Sequence, residues 1–263
     1  MAISLSTLQK YKAEGRKFSV LTCYDASFAR LMSDAGIDVL LVGDSLGNVI
    51  QGQASTVPVT LDQMAYHTGI VARGNQNCLV IGDVPFMEAA TQERALNAAT
   101  RLMQAGANVV KMEGGAWLAD TVQLLHRNGV PSCVHLGLTP QSVNAFGGYK
   151  IQGREEAAAE QLLQETIALD QAGAALFVLE CIPAALGKRI SQAVQAPVIS
   201  CGAGPDCDGQ VMVTYDMLGL TPGKPPKFVK NFMEAAHGNV GDAIRAYHQA
   251  VVDGSFPAPE HCY

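Results

Sequence analysis

The sequence predicts a (β/α)8 barrel. Three observations carry this reading: short apolar runs that are continuous rather than alternating, helical patterns between them, and a length of 263 residues, which suits eight βα units closing on themselves. A continuous run rich in Val, Leu and Ile marks a strand covered on both faces, as in a parallel sheet. One unit recurs: Ala35-Gly36-Ile37 leads into Val39-Leu40-Leu41-Val42-Gly43-Asp44, Ala105-Gly106-Ala107 into Val109-Val110-Lys111-Met112-Glu113, and Ala172-Gly173-Ala174 into Leu176-Phe177-Val178-Leu179-Glu180. Each reads as helix, glycine stop, buried strand and terminal carboxylate.

Taken in order, residues 5–14 form a short helix expected to cap the bottom of the barrel. Strands follow at residues 18–23, 39–44, 78–82, 109–113, 131–135, 176–180, 197–201 and 211–215. Helical patterns lie at 27–35, 60–73, 91–105, 117–128, 155–172 and 183–194, with a last helix at 240–253. Thr60 and Gln63 have the spacing of a capping box. Ala95, Ala98, Ala99 and Leu102 repeat as a buried helix face, and Ala243, Ile244, Tyr247 and Val251 turn inward on the last helix. No low-complexity linker interrupts residues 1–263, so one barrel domain with short N-terminal and C-terminal helices is expected. Periodicity leaves closure open, and a doubly wound open sheet satisfies the same pattern.

Lys and Arg number 18 against 24 Asp and Glu, a net charge of −6, with no basic stripe to offset it. Nucleic acid is therefore not an expected partner. The groups Lys10/Lys12/Arg16/Lys17 and Lys224/Lys227/Lys230 read as solvated faces. No stretch approaches the roughly 18 apolar residues of a membrane span, and residues 1–12 lack a signal-type apolar core, so a cytoplasmic protein without membrane contact is expected. The seven cysteines form no CxxC pair, which argues against a disulfide framework or structural zinc.

In a barrel the chemistry sits at the C-terminal ends of the strands. Those ends carry Asp44, Ser45, Asp83, Lys111, Glu113, His135 and Glu180. Four acids from four strands at one mouth repel one another unless a cation sits among them or some stay protonated, and an oxygen-only donor set suits Mg2+ or a similar hard ion. Lys111 lies two residues before Glu113 and so faces the same side, where it balances the acids, holds a substrate carboxylate or forms a Schiff base. His135 is a site residue or a core histidine satisfied by backbone. Residues 139–153 contain Gly147, Gly148 and Gly153 and little apolar periodicity, which suits a covering loop. Gly202-Ala203-Gly204 follows a strand as a phosphate cradle would, but without the rest of such a motif it reads as a tight turn.

Several of these stretches together resemble the ketopantoate hydroxymethyltransferase (3-methyl-2-oxobutanoate hydroxymethyltransferase) family. They are Leu41-Val42-Gly43-Asp44-Ser45-Leu46-Gly47, Asp83-Val84-Pro85-Phe86-Met87, Val110-Lys111-Met112-Glu113-Gly114-Gly115, His135-Leu136-Gly137-Leu138-Thr139-Pro140-Gln141-Ser142 with Gly147-Gly148-Tyr149-Lys150, and Leu179-Glu180-Cys181. The resemblance implies a TIM barrel of the phosphoenolpyruvate/pyruvate type, Mg2+ dependence, and transfer of a one-carbon unit from 5,10-methylenetetrahydrofolate to 3-methyl-2-oxobutanoate, giving 2-dehydropantoate by metal-assisted enolisation in pantothenate synthesis. It also implies that Asp44, Asp83 and Glu113 match the metal-site acids and that Asp44, Ser45, Asp83 and Lys111 contact the ketoacid. Glu180 matches the proton acceptor, His135 lines the site, and the protein is a homo-oligomer, a decamer in the family. The chain departs from the family's Gly-Ile-Gly-Ala-Gly at Ser200-Cys201-Gly202-Ala203-Gly204, and from its Gly-Gly-His near Thr221-Pro222-Gly223-Lys224. Two other functions fit the same residues: a lyase or mutase cleaving C–C or C–P bonds of 2-oxo acids, and a non-catalytic binding barrel whose acids only hold a metal.

Overall fold

In the computed structural model, which describes residues 2–234 and 236–263, eight strands follow one another around a closed barrel. They are β1 (Phe18–Thr22), β2 (Val39–Val42), β3 (Leu79–Asp83), β4 (Val109–Glu113), β5 (Ser132–Gly137), β6 (Leu176–Glu180), β7 (Val198–Cys201) and β8 (Gly209–Met212). Every neighbouring pair is parallel, and β8 returns to β1 with Phe18 opposite Gly209 and Val20 opposite Val211. Closure removes the sheet edges and sets aside the doubly wound alternative.

The period of two along each strand divides the core into two layers. Phe18, Val20, Val39, Leu41, Leu79, Ile81, Val109, Cys133, Leu176, Val178 and Ile199 fill the barrel interior. Their neighbours Leu21, Leu40, Val42, Val80, Val110, Met112, Val134, Leu136, Phe177 and Leu179 face outward and pack under the helices. Both faces are apolar for that reason, and the strands read as unbroken hydrophobic runs.

The helices are α1 (Leu5–Glu14), α2 (Ala26–Ala35), α3 (Leu46–Val49), α4 (Leu61–Gly74), α5 (Gln92–Ala105), α6 (Ala119–Arg127), α7 (Val143–Phe146), α8 (Glu156–Gln171), α9 (Ala184–Ala193), α10 (Thr214–Met217) and α11 (Val240–Val252). Asp25, Thr60 and Thr91 cap α2, α4 and α5 through their side chains, with the Thr60–Gln63 capping box closed in both directions. The buried face of α5 is Ala95, Ala98, Ala99 and Leu102, and α11 buries Ala243, Ile244, Tyr247 and Val251. At the bottom of the barrel, Leu8 and Tyr11 of α1 join the interior cluster. Lys12 locks α1 there by donating to the Ser191 and Ala196 carbonyls and to Asp208 Oδ2, at 2.9, 3.0 and 3.0 Å.

Two elements depart most from expectation. β8 begins at Gly209 and ends at Met212, earlier than residues 211–215, and Thr214 already opens α10. Its first half hid from the apolar pattern because Gln210 is buried as a polar residue, its amide donating to the Gly204 carbonyl at 3.1 Å. The helical stretch expected at 117–128 starts as a single 3-10 turn, Ala116–Leu118, before α6. Residues 202–208 join β7 to β8 without a helix. Phe228 and Ala184 pack where side chains on Gly202 and Gly204 would lie, which makes Gly202-Ala203-Gly204 a close-packed turn. Among the described residues no helix is long and apolar enough to cross a membrane, and the seven cysteines carry free thiols.

Candidate active site

Lys111 and Glu113 share the inward phase of Val109 on β4. Asp83 continues that of Ile81 on β3, His135 that of Cys133 on β5, and Glu180 that of Val178 on β6. The same alternation that fills the interior with apolar side chains therefore delivers charged ones to its C-terminal rim. Asp44 and Ser45 lie just past the end of β2, leading into α3. All seven sequence-predicted residues line one cavity of about 430 Å³.

Within it the charges are paired in sequence around the rim. The Asp44 backbone N–H donates to Asp83 Oδ2 at 3.0 Å, and Lys111 Nζ donates to Asp83 Oδ1 at 2.6 Å while lying 3.9 Å from Glu113 Oε1. His135 stands between two carboxylates, with Nδ1 3.3 Å from Glu113 Oε1 and Nε2 3.2 Å from Glu180 Oε2. These are close charge contacts whose geometry falls short of hydrogen bonds: both ring nitrogens and Glu113 Oε1 are buried without a hydrogen-bond partner. A backbone-satisfied core histidine is thus not what the structure contains.

The electrostatics follow from burial. Burial and the neighbouring charges of Asp83 and Glu113 push the Asp44 carboxyl up to about 8, against the pull of Lys111 and Gln141. Burial would lower both cations, yet the surrounding carboxylates win: Asp83, Glu113 and Asp44 hold Lys111 well above its ordinary value. Glu113 and Glu180 likewise take His135 up to about 9, over the opposing effects of burial and Lys111. Burial alone would raise Glu113, but His135, Lys111 and the Gln141 backbone N–H hold it below the usual carboxylate range. Lys111 is accordingly a fixed cation. A Schiff base needs the opposite shift, toward a neutral amine.

Among the residues the sequence left unassigned, two bond directly to the predicted side chains. The Tyr24 hydroxyl hydrogen-bonds Ser45 Oγ at 2.8 Å; Tyr24 lies past the end of β1 and packs with the outer core cluster, so strand alternation does not mark it. Gln141 reaches Asp44 and Glu113 from residues 139–153, a segment with no periodicity to reveal it.

With this geometry in place, the comparisons with known proteins decide the family. The family profile described as ketopantoate hydroxymethyltransferase matches residues 2–259. The chain is 64% identical over 263 residues to the 3-methyl-2-oxobutanoate hydroxymethyltransferase of Alcanivorax borkumensis, covering 100% of both chains. It is 56% identical to that of Marinobacter nauticus, covering 100% of this chain and 99% of the relative. The chain belongs to the ketopantoate hydroxymethyltransferase family. Solved structures share the barrel at much lower identity. A phosphonopyruvate hydrolase aligns with a TM-score of 0.63 at 12% identity over 98% of this chain and 93% of the other. A 2,3-dimethylmalate lyase of the PEP mutase/isocitrate lyase superfamily aligns with 0.59 at 18% identity, over 83% and 84%. At such identities the likeness is one of fold, and the lyase or mutase alternative gains nothing against ketopantoate hydroxymethyltransferase membership.

The Mg2+ that ketopantoate hydroxymethyltransferase resemblance implies meets a mixed donor set. Among the described residues no three His, Cys, Asp or Glu side chains are gathered into a ready-made cage, and the Lys111 ammonium contacts both Asp83 and Glu113. Mg2+ does not need such a cage: it keeps several waters and takes one or two carboxylates together with substrate oxygens. Asp44 and Asp83, joined through the Asp44 N–H, fit that requirement, and Asp44 is the acid whose burial among like charges a cation would relieve. Glu113, engaged by His135, Lys111 and Gln141, stands behind them.

Proposed function

We propose that this chain transfers a hydroxymethyl group from 5,10-methylenetetrahydrofolate to 3-methyl-2-oxobutanoate, giving 2-dehydropantoate, with residues 1–263 acting as one catalytic barrel. Full-length identity of 64% to a relative of that name carries the reading, and the cavity supplies groups suited to each step.

Asp44 and Asp83 are the residues to hold a Mg2+ ion, with Glu113 supporting them. When bound, the ion supplies Lewis-acid polarisation of the 2-oxo group. Lys111, a buried and permanently charged ammonium, offsets the negative charge of the ketoacid, and Ser45, steadied by Tyr24, orients it by a hydrogen bond. Glu180 takes the C3 proton: its carboxylate is the most open of the four acids, 15% exposed against 2% for Asp83, and lies across the rim from the Asp44–Asp83 pair. His135, held cationic by its carboxylate neighbours, lies 3.2 Å from Glu180 Oε2 and orients that carboxylate. Water hydrolyses the methylene bridge of the folate, breaking both C–N bonds, leaving its oxygen on the released formaldehyde and its two protons on the N5 and N10 amines of tetrahydrofolate. The electron pair of the broken C–H bond passes into the enolate, whose C3 attacks the formaldehyde carbon, and the proton on Glu180 passes to the alkoxide so formed.

The test is product formation from 3-methyl-2-oxobutanoate and methylenetetrahydrofolate, with and without chelator. Failure of the untreated enzyme to form 2-dehydropantoate overturns the reading, and full activity in chelator overturns its metal component. The same reading carries a homo-oligomer, a decamer as in the family, acting in the cytoplasm. The exposed Tyr66 and Trp117 rings, 66% and 62% accessible, support a covered surface, and light scattering measures the assembly.

A further inference from the structure

One residue outside the proposed machinery bonds to two of its acids. Gln141 follows β5 within residues 139–153 and spans the rim. Its Nε2 donates to Asp44 Oδ2 at 2.8 Å and to the Val84 carbonyl at 3.0 Å, and its backbone N–H donates to Glu113 Oε2 at 2.9 Å. A single residue of the segment after β5 is thereby bonded to the ends of β2 and β4 and to the residue that follows β3.

We propose that Gln141 is a positioning residue that makes the cover of the site and the arrangement of its acids one structure. Its amide aims the Asp44 carboxylate while its peptide N–H fixes Glu113. The chemistry favours an amide for this task. Both side-chain N–H groups are used, so the amide is held from two sides and cannot turn its oxygen toward Asp44 without losing both bonds. As a neutral donor it takes one Asp44 oxygen and leaves the other free, where a Lys or Arg would add a charge competing with a cation. Pro140 at the start of the 3-10 turn Pro140–Ser142 restricts the backbone that presents the N–H. Tyr149, Lys150 and Ile151 of the same segment line the cavity, so a ligand that settles Asp44 also settles the wall above it. The inference rests on the reading that these acids hold a divalent cation.

Gln141→Leu keeps the bulk and removes the side-chain donors, and Gln141→Ala removes them with a different volume; both keep the peptide N–H to Glu113. Mg2+ and 3-methyl-2-oxobutanoate are titrated calorimetrically into the whole protein and each variant, and hydrogen exchange is followed across residues 139–153. Wild type is expected to gain protection there when both ligands bind. The variants, folded by circular dichroism, are expected to bind Mg2+ about 10- to 100-fold more weakly, the usual cost of losing a partner behind a ligand, and to lose the ligand-dependent protection. KM for the ketoacid should rise while kcat at saturation stays within a few-fold, since Glu180 and Lys111 are untouched. Either folded variant binding Mg2+ as tightly as wild type and keeping its ligand-dependent protection overturns the proposal. Wild type that binds no Mg2+ overturns the metal reading itself, and shows this before any variant is made.

Discussion

Glu180 and His135 differ in what their removal would do, because the Glu180 side chain is 15% exposed at the cavity and that of His135 only 3%. Glu180→Gln keeps size and hydrogen-bonding capacity but not basicity. Deuterium exchange at C3 of the ketoacid, followed by NMR in D2O with enzyme and Mg2+ but no folate, should fall about 10²- to 10⁴-fold, while calorimetry shows Mg2+ and ketoacid binding retained. Exchange at the wild-type rate would move proton abstraction to another group. His135, 3% exposed with its ring nitrogens at 3.3 and 3.2 Å from Glu113 and Glu180, is better placed to bridge the two carboxylates than to take a proton from a substrate. Lys111 likewise owes its character to its setting: a lysine at a strand end is chemically ambiguous, and the Asp83 carboxylate at 2.6 Å makes it a permanent cation.

At the scale of elements, the end of β5 decides where Glu180 stands. Gly137 sits in the left-handed region at φ +87, and a Cβ there would meet the Glu180 carbonyl oxygen and the Ile182 side chain. Gly137→Ala is expected to cost about 1–3 kcal/mol from backbone strain alone and to depress C3 exchange further by pushing β6 from β5. Urea unfolding measures the first effect and the D2O assay the second; an unchanged midpoint would mean the strands yield freely. The opposite end of the barrel offers a pH test. Asp38, at the start of β2, accepts from the Ser19 N–H and hydroxyl at 2.9 and 3.1 Å, with His248 Nδ1 3.8 Å away. Burial raises its carboxyl above the ordinary range, against the Ser19 bonds, His248 and Arg16. A carboxyl raised on folding contributes stability that is complete below its unfolded value, about 3.9, and is lost as pH climbs through the higher folded one. Asp38→Asn accepts the same bonds without ionising, so its stability relative to wild type should improve as pH is raised from about 4 toward neutrality. Denaturation midpoints that run parallel across this range would show that Asp38 ionises equally in both states.

For the whole molecule, closure of the barrel brings β1 through β8 into one ring and so sets acids 39, 69 and 136 residues apart along the chain, Asp44 against Asp83, Glu113 and Glu180, on one cavity wall. Such a cluster makes the folded state a better cation binder than the unfolded chain. Mg2+ at a hundred times its Kd should therefore stabilise the protein by about 2.7 kcal/mol, read as a rise in thermal midpoint that EDTA reverses and that Asp83→Asn abolishes. A midpoint insensitive to Mg2+ would leave the acids to Lys111 and His135 alone. The sequence by itself determined the strands, the helix faces and the identity of the charged residues at the strand ends, because a parallel strand buried on both sides must be apolar throughout and any polar residue at its end stands out. It determined the family too, through motifs spread over nearly the whole chain. Closure of the sheet, the start of β8 at Gly209, the enclosure of His135 between Glu113 and Glu180, and the reach of Gln141 to Asp44 were decided only in the tertiary structure. Each depends on distances between segments remote in the chain, to which local periodicity is blind: hydrogen bonds across a barrel seam, a buried polar Gln210 that breaks the apolar pattern, and a loop whose single useful amide has no period to mark it.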